Sequence, residues 1–367
     1  MAAKYRIGVI GHTGRGNYGH GVDTVWLEIP GCEIVGVADA NEKGLAEAVK
    51  RLRAPRGFAD YRQLLDELKP DIAAIGPRWL DQHCDMVLAA AARGIHMYME
   101  KPFCRTLEEA DRMVAACEQR KVKLAIAHQT RYSPKLNVVR QMIEKGAIGT
   151  LLELRGRGKE DSRGGGEDLW VLGSHIFNLM HYFAGEPEWC FARVLQNGRP
   201  VTQQDVVQGN EGIGSLAGDQ VTAMYGMDRG VTAYFGSRRG MGANPSRFGL
   251  QICGSRGIIE IVTGYLPPVN YLPDPAWSSG RSGKAWIPVS SAGPGKPEPL
   301  KDGGLHAGNV LACKDLIAAI EQDRLPECNM YEARMTVEMI AAVFESHRAN
   351  APVAIPLRSR RNPLDML

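Results

Sequence analysis

The chain has 367 residues, enough for two domains that each bury a core. Hydrophobic residues at 44% and charged residues at 23% are ordinary for a globular protein, and a net charge of +3 argues for neither nucleic acid nor a membrane surface as a partner. The eight cysteines are scattered without a C-x-x-C pair, the N-terminus enters a strand at once, and no apolar run is long enough for a bilayer; a reduced, cytoplasmic protein is expected.

Ile7, Val9 and Ile10 form an apolar run the size of a buried parallel strand. Gly8, Gly11, Gly14, Gly16 and Gly19 interrupt or follow it, and Gly14-Arg15-Gly16-Asn17-Tyr18-Gly19 fits G-x-G-x-x-G. Bare glycines permit a tight turn and let a pyrophosphate approach the backbone. A helix over Asp23–Ile29, closed by Pro30-Gly31, would aim its free N–H groups at that phosphate. The strand Glu33–Ala38 ends at Asp39, 20 positions after Gly19, where an acid can accept from an adenosine ribose. Gly11-His12-Thr13 precedes the fingerprint, so the loop is longer than the minimal form. Arg15 could pair with a phosphate or stand in solvent.

Helices follow over Asn41–Arg53, Tyr61–Leu68, His83–Arg93 and Leu107–Gln119, the last opened by a Thr106–Glu109 capping box. Strands alternate with them at Ile72–Ile75, Ile95–Met99 and Val122–Ala127. Such alternation predicts an α/β fold with a parallel doubly wound sheet, whose ligands bind at the carboxyl ends of the strands. Those ends carry Gly11–Gly19, Asp39, Pro77–Trp79, Glu100-Lys101-Pro102 and His128-Gln129. Lys101 there would face a ligand, and its ammonium could polarise a substrate oxygen; a surface lysine is the plain alternative.

The glycine-rich start, Asp39, Glu100-Lys101-Pro102, the stretch Lys123 to Pro134 (KLAIAHQTRYSP) and the later GAIGTLLELRGRG resemble the glucose–fructose oxidoreductase, inositol dehydrogenase and rhizopine-catabolism family, Gfo/Idh/MocA. The resemblance implies a Rossmann NAD-binding domain, 1–128, and a C-terminal α+β domain, 129–367, with a large, mostly antiparallel open sheet. It implies a sugar or polyol substrate and a homo-oligomer packed through that sheet. It also places Glu100 near the nicotinamide ribose and Lys101 beside the reacting carbon, with a cis Lys101-Pro102 bond. The expected cofactor contacts are Gly11, Thr13, Gly14, Arg15, Gly16, Asn17, Tyr18 and Asp39, together with Pro77, His83, Glu100, Lys101 and Gln129. Asp39 favours NAD over NADP, because a 2′-phosphate would meet its charge and Ala40-Asn41 offer no arginine.

In the second domain a helix is expected over Arg131–Lys145, a strand from Leu151, and a helix over Leu169–Phe183 with Asp168 as N-cap. His175 inside that apolar run is either a satisfied core residue or a proton carrier. The family resemblance favours the acid/base role; its orienting aspartate would fall at Val171, which cannot serve, and Asp168 lies two turns back from His175. Asn178 stands where another aspartate is common, and Arg131, Tyr132 and Gln129 are further substrate-contact candidates. DQVTAMYG with VTAYFG, and RFGLQICG with IIEIV, read as two hairpins. Residues 265–304 show little periodicity and read as a long loop, with Trp277 and Trp286 either stacking on a sugar or packing on their own protein. His306 and Asn309 open a helix to Ile320, and Tyr331–His347 forms another. No His, Asp and Glu cluster at metal-ligand spacing. The expected activity is hydride transfer between a carbinol and NAD. A glycosidase or epimerase that recycles bound NAD is the alternative, and a non-catalytic NAD sensor the third.

Overall fold

In the computed structural model, which describes residues 5–367, the chain divides into two compact units. The first takes residues 1–129, 210–214 and 305–337; the second takes 130–209, 215–304 and 338–367. A boundary at 128 therefore misses two returning segments. Hydrogen bonds explain why the later one belongs to the first unit. Ile126 N–H donates to the Cys328 carbonyl at 2.9 Å, and Tyr98 Oη donates to Asn309 Oδ1 at 2.7 Å.

The first unit alternates strand and helix: β1 (Tyr5–Ile10), β2 (Cys32–Ala38), α1 (Glu42–Leu52), β3 (Gly57–Phe58), α2 (Tyr61–Leu68), β4 (Ile72–Ile75), α3 (His83–Ala92), β5 (His96–Met99), α4 (Leu107–Arg120) and β6 (Leu124–Ile126). The strands form one parallel sheet in the order β3-β2-β1-β4-β5-β6. Every residue of β4 has no exposed surface, as expected of a strand covered on both faces. Local caps set the helix starts. The Asn41 side chain accepts from Gly44 N–H at 2.8 Å, and Thr106 Oγ1 accepts from Glu109 N–H at 3.2 Å. Glu109 closes its half of the box on the Arg105 amide, 3.0 Å away, one residue before the cap.

The helix expected over Asp23–Ile29 is instead a single 3-10 turn, Thr24–Leu27. Asn17, Gly19 and Gly21 just before it take positive φ, of 53°, 66° and 84°. A chain held left-handed at three nearby positions cannot propagate a right-handed helix through them.

The second unit opens with α5 (Pro134–Glu144), β7 (Leu151–Arg157), α6 (Gly166–Val171) and α7 (Gly173–Ala184). The strands β8 (Pro187–Gln196), β9 (Arg199–Pro200), β10 (Val207–Gln208), β11 (Ser215–Leu216), β12 (Gln220–Met227), β13 (Thr232–Arg238), β14 (Gly249–Gly254) and β15 (Gly257–Val262) follow. Next come β16 (Val269–Leu272), α8 (Ser279–Ser282), β17 (Ile287–Ser290) and β18 (Gly293–Pro294). Of the last elements, α9 (Leu305–Glu321) lies in the first unit, α10 (Met330–Ala349) runs from the first unit into the second, and β19 (Val353–Ala354) completes the second. The large sheet is ordered β18-β17-β16-β15-β14-β7-β13-β12-β8-β19, with β9 beside β8. Only the β13–β7 pair is parallel.

Helix α7 packs on one face of this sheet. A Cβ on Gly156 of β7 would lie 2.4 Å from Ile176 and 2.7 Å from Met180, so a glycine there lets the helix approach. Phe177 stacks 4.9 Å from Phe235 and 5.6 Å from Tyr225. Burying each such side chain contributes about 1.5–3 kcal/mol. The other face exposes Phe191 and Tyr234.

Residues 265–304 are not the loop that their composition suggests. They carry β16, β17 and β18, which extend the sheet beyond β15. Strands of two to four residues are too short to show a period in the sequence. Trp277 and Trp286 pack against the buried cluster of Cys253, Ile258 and Leu272, and Trp277 Nε1 donates to the Gly254 carbonyl at 2.7 Å.

Candidate functional site

In the first unit the strand ends are built around two buried carboxylates. Asp39, at the end of β2, is 1% exposed. Its Oδ1 accepts from the amides of Thr13 (3.1 Å) and Asn41 (2.9 Å). Its Oδ2 accepts from the Thr13 hydroxyl (2.6 Å), the Tyr18 hydroxyl (2.9 Å) and again the Thr13 amide (3.0 Å). The Tyr18 ring lies on Gly11, where an added Cβ would be 2.1 Å from it. Arg51 stacks on that ring at 4.8 Å and pairs with Asp23. Burial first, then the bond to Asp39, pushes the Tyr18 phenol far up. Arg15 pairs with Asp81 and stacks on Trp79 at 4.5 Å. The Asn17 side chain accepts from the Gly14 amide at 3.0 Å and ties the loop to itself. Beside Asp39, a hollow of about 260 Å³ is lined by Gly11, His12, Ala40, Asp60, Tyr61 and Met86, among others.

Glu100 and Lys101 lie at the end of β5, with the Lys101-Pro102 bond cis. Glu100 has no exposed surface. It accepts from the His20 amide at 3.0 Å, lies 3.2 Å from His20 Nδ1, and accepts from the Lys101 amide at 3.1 Å. Burial would raise its carboxyl, but the bond from His20 and the charges of His20 and Lys101 outweigh it and hold it below the usual range. Lys101 itself is 6% exposed.

His83, one of the expected cofactor contacts, is fully buried, with Nε2 2.7 Å from the Pro77 carbonyl and Nδ1 3.0 Å from that of Pro102 and 3.2 Å from that of Phe103. It thereby staples the backbone after β4 to the backbone after β5. Gln129 donates to Asn309 Oδ1 at 3.1 Å, and Asn309 Nδ2 donates to the His20 carbonyl at 2.8 Å.

In the second unit His175 is half-buried near the start of α7, its ring 6.4 Å from that of Phe248. Asn178 lies one turn on and is buried. Arg131 and Tyr132 are buried too, and the Arg131 guanidinium lies 3.8 Å over the Tyr182 ring. Asp168, expected to act indirectly through His175, is buried at the start of α6. Its carboxylate accepts from the Lys159 amide (3.2 Å), the Glu160 amide (3.1 Å) and the Ser237 hydroxyl (2.5 Å), and so ties the strand-to-helix connection to β13. Burial raises its carboxyl, partly offset by the Ser237 bond. The expected single helix over Leu169–Phe183 is also broken, into α6 and α7, at Leu172. Among the described residues, no three His, Cys, Asp or Glu side chains are grouped to hold a metal, and no helix is long and apolar enough to cross a membrane.

Comparison with known proteins accounts for this arrangement. Residues 5–128 match the profile described as an oxidoreductase family with an NAD-binding Rossmann fold, and residues 136–260 match the GFO/IDH/MocA C-terminal domain. The chain belongs to the Gfo/Idh/MocA family. Among its curated relatives, a levoglucosan dehydrogenase of Pseudarthrobacter phenanthrenivorans is 29% identical over 48% of this chain and 50% of the relative. A protein named glycosyl hydrolase family 109 protein 1, from Akkermansia muciniphila, is 29% identical over 44% of this chain and 37% of its own length. The matches thus span half or less of these two relatives. A solved levoglucosan dehydrogenase in complex with NADH and levoglucosan has the same fold, with a TM-score of 0.77 at 20% identity over 96% of this chain and 99% of that one. As a Gfo/Idh/MocA protein, this chain has the Rossmann sheet and the large mixed sheet that its motifs imply. Sequence reading missed His20, which lies 80 positions from its partner Glu100. It also missed Ser237, which holds Asp168 across 69 positions. No local spacing signals either pair.

Proposed function

We propose that this chain is an NAD-dependent oxidoreductase acting on a carbinol of a sugar or polyol. The observation that carries the reading is Glu100-Lys101 at the carboxyl end of β5, in a sheet of the NAD-binding family. The residues fit the cofactor. A hollow of about 260 Å³ lies beside Asp39, Asp39 stands at the end of β2 where a ribose is read, and Ala40-Asn41 bring no cation for a 2′-phosphate, the arginine lining the hollow being Arg62, which pairs with Asp60. Bound NAD supplies the acceptor for the hydride. Lys101 holds the substrate oxygen and stabilises it as it becomes a carbonyl oxygen. His175 takes the hydroxyl proton on an imidazole nitrogen. Arg131, Tyr132, Asn178 and Gln129 contact the substrate hydroxyls.

A second reading keeps NAD bound throughout, with transient oxidation followed by cleavage or epimerisation at a neighbouring carbon. The family 109 hydrolase relative supports it, as does the loss of the orienting aspartate at Val171. We also propose a homo-oligomer and a cytoplasmic location. The exposed Phe191 and Tyr234 on the open face of the sheet support the first, and eight free thiols suit a reducing compartment.

The test is an absorbance and mass spectrum of the acid-denatured protein, followed by a screen of polyols and aldoses with added NAD. NADH formation with one of them is the expected result. Near-stoichiometric NAD already in the protein, with glycoside cleavage and no net NADH, would favour the second reading. No turnover of either kind would overturn both.

A further inference from the structure

The carboxylate that should read the adenosine ribose is already fully engaged by the chain itself. A carboxylate offers about four acceptor positions. Around Asp39 they meet four donors: the Thr13 amide, the Thr13 hydroxyl, the Tyr18 hydroxyl and the Asn41 amide. The Asn41 amide comes from the next turn of the same segment and stays with Asp39 in any state of the loop. The Thr13 and Tyr18 hydroxyls come from the glycine-rich loop, and their two O–H groups are the chemistry that a ribose diol would present.

A second observation is independent of those bonds. The Tyr18 ring covers Gly11, the bare glycine at the end of β1 that opens the loop. The ring is held from its other side by Arg51, itself paired with Asp23. The neighbouring hollow of about 260 Å³ remains. The loop therefore engages the carboxylate that would read a ribose and leaves the hollow beside it open.

We propose that Thr13 and Tyr18 compete with the dinucleotide for Asp39, so that the glycine-rich loop is a latch which NAD must displace to bind. The inference rests on the NAD reading above and adds which residues of this chain set the affinity. Gly14, Gly16, Gly19 and Gly21 all take positive φ, a conformation open to glycine. The apparent affinity for NAD is lowered by the fraction of molecules in which the loop holds Asp39.

The experiment measures NADH affinity by fluorescence titration and the melting temperature of the free protein. It compares wild type, Tyr18→Phe, Thr13→Val and the double variant. Tyr18→Phe keeps the ring on Gly11 and removes only the competing hydroxyl. Each single variant is expected to bind NADH about tenfold more tightly while the free protein melts lower. Opposite signs are the signature of competition, because a variant that merely damages the site lowers both stability and affinity. Wild-type binding with unchanged or weaker binding in the variants overturns the latch and leaves the NAD reading standing. Binding by the variants but not by wild type supports the latch in its strongest form. No NADH binding by any of the four proteins overturns the latch and the NAD reading together.

Discussion

At the end of β5, three consecutive residues do the positioning. Glu100 is buried under His20, Lys101 follows it, and the Pro102 carbonyl is held by His83. At the end of β1 the same sheet uses the long run from Gly11 to Asp23, in which no helix forms and Tyr18 reaches Asp39. The first end is a short turn fixed by backbone bonds and by the fully buried His83. The second is a glycine-rich loop fixed by hydroxyl bonds to Asp39. On the proposed reading, the first end carries the lysine that acts on substrate and the second receives the cofactor.

Substitutions at the two ends sharpen or break that contrast. Lys101→Ala should lower turnover by about 10²–10⁴-fold, with NADH binding nearly unchanged, as read by steady-state kinetics and fluorescence titration. Turnover equal to wild type would remove Lys101 from the chemistry. His83→Ala removes the ring that lies between the Pro77 and Pro102 carbonyls and donates to one of them. It should cost about 1–3 kcal/mol in denaturant unfolding, with His83→Gln in between. Gly11→Ala drives a methyl into the Tyr18 ring and should cost about 1–3 kcal/mol. In a Tyr18→Ala background the same change should cost less, and a double-mutant cycle without coupling would contradict the ring contact.

The smallest effect is in pH dependence. The folded Glu100 carboxyl lies below its ordinary value of 4.5, so the unfolded chain takes up this proton first as pH falls. Its contribution is fully present above that value and is lost as pH falls from there through the folded pKa. Melting temperature should therefore fall less steeply below pH 4.5 in Glu100→Gln than in wild type.

The contrast between the two ends also marks what could be read beforehand. Ile72–Ile75 and the strand before Glu100 declare themselves as short apolar runs between helices with clear caps, and the tripeptide that follows sits at a strand end by simple counting. Thr106 signals its helix because its partner is three residues away. The loop after β1 obeys no such local rule. Its fold depends on Tyr18 meeting a carboxylate 21 positions on, and on an arginine that lies later still. The same holds in the second unit, where the break at Leu172 and the engagement of Asp168 depend on strand β13. His83 was legible as a residue of the site, but its two carbonyl partners follow from the backbone of two loops. The strands within 265–304 escaped because each has only two to four residues, at or below the shortest run over which alternation can be read.

Asn309 carries a consequence for the order in which the protein is made. It accepts from Tyr98 and Gln129 and donates to the His20 carbonyl, and residues 305–337 complete the first unit. The unit that begins at the N-terminus is therefore still open when most of the chain has left the ribosome. The second unit's residues are threaded through its sequence and are synthesised before it can close. Contacts at this sequence separation form slowly, and the parallel sheet stays exposed in the meantime. A fragment ending at residue 128 inherits the same defect permanently: it contains every strand of the nucleotide sheet and lacks the segment that seals it.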